Sequence, residues 1–271
     1  MDSMFYNCFQ LTSLDITSFD TSLVTTMSSM FYGCNSIEKL DLSNFETSKV
    51  KYMKNMFRSC KKLISIDVTS FNTSSVIDMD YMFNDCYLLS SINLSSFDTS
   101  SVIKINSFFN GCKALTSIDL SNFKTSNLEN MGYMFHQCTS LVSLDLSNFD
   151  TSNILYMDNM FKDCTNLEYL NISSFNTSKT IKFDRMFYGL KSLKSIDLSH
   201  FSMESATSTS EMFKNMNLNI EVCIEEGKEG QNTLLQYLLN SNANINVTNI
   251  CSHVITTTYI TGMGSTIITD I

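Results

Sequence analysis

The chain has no proline, no tryptophan and only 8 glycines among 271 residues. Proline- and glycine-rich linkers and low-complexity disorder are therefore excluded as its main character. No run of 18 apolar residues occurs, so nothing in the sequence reads as a membrane-spanning helix. No basic segment leads into a short apolar one, so no signal peptide is expected in this stretch. Basic residues are in the minority: 18 Lys and Arg against 27 Asp and Glu give a formal net charge of −9. That balance speaks against binding nucleic acid or an anionic membrane over the whole surface. Catalytic signatures are missing too. The sequence contains no G-x-S-x-G elbow, no glycine-rich phosphate loop, no HExxH and no CxxC, so the expectation is a protein with no enzyme activity, catalytic residue, metal or cofactor.

What is present is a period. Met-Phe recurs at 4–5, 30–31, 56–57, 82–83, 134–135, 160–161, 186–187 and 212–213, with Phe108-Phe109 in the remaining slot. The spacing is 26 residues throughout. A second block keeps step: LDITSFDTS from 14, LDLSNFETS from 40, and so on to the decayed IDLSHFSME from 196. Alternation at Leu40 and Leu42, with Asp41 and Ser43 outward, predicts a short half-buried strand. Thr-Ser then offers helix-capping chemistry, and Val50, Met53, Met56, Phe57, Cys60 and Leu63 follow at spacings of three and four, which predicts a short helix.

One strand and one helix cannot bury both apolar faces alone, so the units must stack. The fold class expected is α/β: a right-handed solenoid of 26-residue repeats, one parallel sheet with short helices on the other side. At ~4.8 Å per unit it would run roughly 40 Å. The solenoid is assigned to 1–216, a capping strand and helix to 217–250 (NIEVCIEE, then TLLQYLLNSN), and a Thr/Ile-rich tail or β segment to 251–271. Met1 falls on the slot of Met27, inside a repeat, and a fragment of a longer array is the expectation.

In a strict repeat, any residue kept at one slot becomes a ladder. Cys8, Cys34, Cys60, Cys86, Cys112, Cys138 and Cys164 form one, with Leu190 and Met216 continuing it. Small buried side chains are favoured there over a metal chain or inter-unit disulfides. Cys223 and Cys251 lie outside it and could pair in an oxidising compartment.

The outward column Asp15, Asp41, Asp67, Asn93, Asp119, Asp145, Asn171, Asp197 is the candidate binding face, with Thr17, Ser43, Thr69, Ser95 and Ser121 beside it. Two carboxylates ~5 Å apart repel by ~0.8 kcal/mol in water. Neighbouring hydroxyls, bound cations or a basic partner must offset that. The segment KVKYMKNMFRSCKK carries Lys49, Lys51, Lys54, Arg58, Lys61 and Lys62 with no acid; it is either a docking patch for an anionic partner or a solvated face. His136, His200 and His253 occupy unrelated slots.

The repeat LDLSNFDTS-x-V-x-x-M-x-x-M-F-x-x-C-x-x-L resembles the bacterial surface protein 26-residue repeat of the BspA-type leucine-rich repeat group, over residues 1 to about 216. The resemblance implies a cell-surface or extracellular location and an adhesion or protein-interaction role toward a protein or glycan of a host, a matrix or a neighbouring cell. A spacer that displays another domain, and an intracellular scaffold, are the alternatives. Sequons at Asn72, Asn93, Asn171, Asn176 and Asn246 bear on this only in a eukaryotic secretory pathway.

Overall fold

The structure, a computed structural model, describes residues 1–217, 219–224, 233, 234 and 236–238, and the backbone of 246–248. Among the described residues there are five short strands: β1 (Ser143–Asp145), β2 (Tyr169–Asn171), β3 (Ser195–Asp197), β4 (Glu221–Cys223) and β5 (Asn246–Thr248). All pairings are parallel, β1 with β2, and β3 with β4 with β5. Ser143 pairs Tyr169 and Ser195 pairs Glu221, each one 26-residue step apart. In β1 the alternation predicted from sequence holds, with Leu144 buried between exposed Ser143 and Asp145. Farther toward the N-terminus the same segment is extended but carries single, longer bonds, such as Ile64 N–H to Glu38 O at 3.2 Å.

A second parallel ladder links Thr26 to Tyr52, Asp78 and Lys104 in turn, and another links Asn130 to Tyr156, Lys182 and Ser208. Between Lys104 and Asn130 the Asn106 side chain takes over, donating to Gly132 O at 2.9 Å and Asn130 Oδ1 at 3.3 Å.

The helices expected beyond the sheet are not there. Within 1–217 these segments are consecutive turns. Asn55 and Ser59 have φ of 56° and 59°, and the equivalent residues in other units are also left-handed, which ends any α-helix within four residues. The amides of Met53, Asn55, Phe57 and Ser59 turn away from the chain's own i−4 carbonyls. They donate instead to the carbonyls of Asp78, Asp80, Met82 and Asn84 at 2.7–2.9 Å. Met56, Arg58 and Cys60 close i→i−3 turns between them, each at 3.1 Å. Spacings of three and four thus arise from tight turns, with the hydrogen bonds running between units.

The core fills the space between the strand and turn sides. Phe31, Phe57, Phe83, Phe109, Phe135, Phe161, Phe187 and Phe213 stack in file with centroids 5.4–6.0 Å apart. Each pair adds about 0.5–1.5 kcal/mol beyond its buried area. Polar clasps tie the corners. Buried Thr47 donates to Asn72 O at 3.0 Å and accepts from Asn72 N–H at 2.7 Å. The Asn44 amide reaches the carbonyls of Ile16, Thr17 and Phe19 at 3.0–3.1 Å.

Toward the C-terminus Ile220, Val222 and Ile224 are buried, and Cys223 sits opposite Asp197. Residues 233, 234 and 236–238 are helical, with Leu234 and Leu238 buried. Leu235, Leu239, the expected tail 251–271 and Cys251 lie outside the described residues. Cys223 is disulfide-bonded, whereas the seven ladder cysteines are free thiols, with Cys8 exposed and the other six buried.

Candidate functional site

The strand side presents the outward acidic column, and its geometry is set by the chain itself. In each unit the acidic residue is followed two positions later by Ser or Thr, which closes a local turn. Asp15 Oδ1 accepts the Thr17 hydroxyl at 2.7 Å and its N–H at 3.1 Å. Asp41 with Ser43 (2.7 and 3.0 Å) and Asp67 with Thr69 (2.6 and 2.9 Å) repeat this. Asn93, Asp119, Asp145 and Asp197 accept the N–H of Ser95, Ser121, Ser147 and Ser199 at 2.9–3.0 Å. Asn171 takes both groups of Ser173.

The hydroxyl of the following residue holds Asp15, Asp41 and Asp67 below the usual carboxylate range, and Asp119 is held low by Ser121. Repulsion between Asp41 and its neighbours acts the other way and is the weaker influence. Among the described residues the second oxygen of Asp15, Asp41, Asp67, Asp119 and Asp145 accepts no hydrogen bond, and these residues are exposed. A second column at the next corner works alike: Asp20, Asp98 and Asp150 accept from Ser22, Ser100 and Ser152 at 2.9–3.0 Å and are held low by them.

The structure brings the six basic residues onto one turn segment but not into one kind of environment. Lys49, Lys51, Lys61 and Lys62 are exposed, while Lys54 and Arg58 are half-buried. The Arg58 guanidinium lies 4.8 Å from the Tyr81 ring and 5.5 Å from the Tyr32 ring. Lys54 is near Asp80 and favours its ionised carboxylate, against the dominant effect of burial.

A family model described as "Mycoplasma protein of unknown function, DUF285" matches residues 1–117, 60–144 and 116–225. The chain belongs to this family. No curated protein matches this DUF285 chain. Among solved structures, the functional domain of InlJ from Listeria monocytogenes, which includes a cysteine ladder, aligns at 13% identity with a TM-score of 0.19. The alignment covers 79% of the DUF285 chain and 61% of the InlJ domain.

Two features of this DUF285 member escaped the sequence reading. Asp80 is pushed up to about 6 by burial and by Asp78, while its Oδ1 accepts Asn106 N–H at 2.8 Å. His136 is pushed down to about 4, first by burial and then by Lys162, and its Nδ1 lies 2.9 Å from Asn110 Oδ1. Asp78-Met-Asp80 was the only sequence signal for the first, since two acids two apart flank a core methionine. Among the described residues no group of three His, Cys, Asp or Glu side chains is placed to hold a metal ion.

Proposed function

We propose that the chain is a right-handed solenoid of 26-residue repeats that serves, without enzymatic activity, as an adhesion-type docking module at a cell surface. The partner would be a protein or glycan met by the exposed strand face and the variable turns. The observation that carries this reading is the column of Asp15, Asp41, Asp67, Asp119 and Asp145. Each carboxylate has one oxygen held by its own turn and, among the described residues, the other uncommitted, so the face offers acceptors at 26-residue steps, interrupted at Asn93, whose rotamers are already restrained. Restrained acceptors lose little entropy on binding.

The same turns favour a second reading, a spacer. If the acids exist only to close local turns, the face needs no partner. The test is binding of the full chain to immobilised matrix proteins and glycans, compared with the Asp41→Asn, Asp67→Asn, Asp119→Asn, Asp145→Asn variant. Asparagine keeps the turn, as Asn93 and Asn171 show, so loss of saturable binding supports the docking face. Unchanged binding, or none by the parent chain, leaves the spacer. Among the described residues no helix is long and apolar enough to cross a membrane.

A further inference from the structure

The strand segments hold 13 acids and 3 bases, whereas the turn segments between residues 1 and 216 hold 14 bases and 9 acids. The two sides therefore carry opposite charge, and the positive excess is concentrated in the segment 49–62. We propose that this segment is a docking strip for a linear sulfated glycan, separate from the carboxylate face and independent of what that face binds.

Arg58 is its fixed point. The guanidinium lies against Tyr32 and Tyr81, and among the described residues its one hydrogen bond runs 3.3 Å from Nη1 to Asn55 Oδ1 and no carboxylate pairs with it. Nε is enclosed without a partner. A guanidinium immobilised in this way has already lost its rotamer freedom and still has N–H groups to offer an oxyanion. Exposed Lys51, Lys61 and Lys62 flank it in sequence. Lys61 and Lys113 lie 5.7 and 4.6 Å from the Tyr87 ring, extending the positive region by one further contact.

The surroundings select the ligand. The preceding segment 23–37 has no charged residue, and the following one carries Asp78, Asp80 and Asp85. Apart from Lys113, two units on, the positive region is thus about one unit wide, ~4.8 Å, too narrow for a duplex or a planar anionic membrane. Two neighbouring rings are already taken: Tyr32 stacks on Tyr6 at 4.7 Å and meets Arg58, and Tyr87 has two lysines. Exposed Tyr52 is the free ring of the segment, and one ring is less than the succession of platforms on which the bases of single-stranded nucleic acid stack. Against a net charge of −9, only a ligand of high linear charge density gains more from the strip than it loses to the rest of the surface. Sulfate esters meet that condition better than the sparser carboxylates of an acidic peptide.

The test is binding of a fluorescent heparin decasaccharide to the full chain at 50 and 200 mM NaCl. Binding that weakens on the order of 50-fold across that range is expected for about four neutralised sulfates, each releasing roughly 0.7 counterion. Lys51→Gln, Lys61→Gln, Lys62→Gln should lose at least tenfold at 50 mM while the thermal midpoint stays put, since these side chains are exposed. Arg58→Lys should lose threefold or more with charge conserved. The Asp41, Asp67, Asp119, Asp145 variant should bind as well or better, which separates this strip from the strand face. No binding by the parent chain, or an unchanged triple variant, overturns the proposal. So does tighter binding of poly-glutamate, oligo-dT or phosphatidylserine vesicles than of the decasaccharide.

Discussion

The Cys60 thiol donates to the carbonyl oxygen of Phe31, 3.2 Å away in the preceding unit, and that same oxygen accepts Cys34 N–H at 3.1 Å. The relationship recurs from Cys34 on Phe5 to Cys164 on Phe135, at 2.9–3.2 Å. Cysteine at this slot is therefore more than a small apolar filler, because it supplies a weak donor to a buried carbonyl.

Thiol reactivity should follow that arrangement. Burial pushes Cys34 up to about 11 and Cys164 up to about 12, and raises the four between them. Thiolate is the reactive form. Native iodoacetamide labelling followed by peptide mapping should modify Cys8 alone among the ladder cysteines, with the six others labelled only in denaturant. Native labelling of Cys86 or Cys112 would contradict the structure. Cys86→Ala should cost about 1–2 kcal/mol in urea unfolding, combining a lost donor with a small cavity.

Asp80 should make the fold less stable as pH rises. Its folded value, about 6, stands above the ordinary 3.8. The stabilisation is then complete below 3.8 and is lost as pH climbs through 6. Asp80→Asn keeps an oxygen for Asn106 N–H, and Asn106 is the natural occupant of this slot one unit on. The variant should match the parent at pH 4 and exceed it by about 1–2 kcal/mol at pH 8, after discounting for partial exposure. Equal urea midpoints at pH 8 would show that Asp80 is solvated.

His136 should act in the opposite sense. With a folded value of about 4 against an ordinary 6.5, the cost is absent above 6.5 and grows as pH falls toward 4. Lys162 opposes protonation and Asp163 favours it, while Tyr133 covers the ring edge-on at 5.6 Å. His136→Asn should flatten stability between pH 7 and 4.5, and the parent should lose about 1–2 kcal/mol over that span. Thermal melts at the two pH values decide it.

The 26-residue step, the buried centre of Ser143–Asp145 and the outward Asp column could be read from sequence because alternation is local. The turn side was misread because Met53, Met56, Phe57 and Cys60 show helical spacing whichever way the amides point. The correcting signal lay one column over. Asn7, Gly33, Ser59, Asp85, Gly111, Gln137, Asp163, Gly189 and Asn215 share a slot rich in residues that tolerate a left-handed backbone, and all have positive φ. Arg58 between two tyrosines and the environment of half-buried Asp80 were not legible, since each depends on residues roughly 26 positions away and on side-chain direction.

That column also couples neighbouring units. Gly33, Gly111 and Gly189 each follow an Asn or Asp one unit earlier: Asn7, Asp85 and Asp163. A Cβ on Gly111 would lie 2.7 Å from Asp85 Oδ1, and one on Gly189 2.5 Å from Asp163 Oδ1. Gly111→Ala thus meets two obstacles, a φ of 76° and an occupied space, and should cost about 2–3 kcal/mol. Asp85→Ser clears the space and leaves the backbone problem, with Ser59 as precedent at that slot. Residues in such contact do not add. The double variant should therefore recover about 1 kcal/mol or more relative to the sum of the single changes in urea unfolding. Strict additivity would mean that the glycine answers to its backbone angle alone.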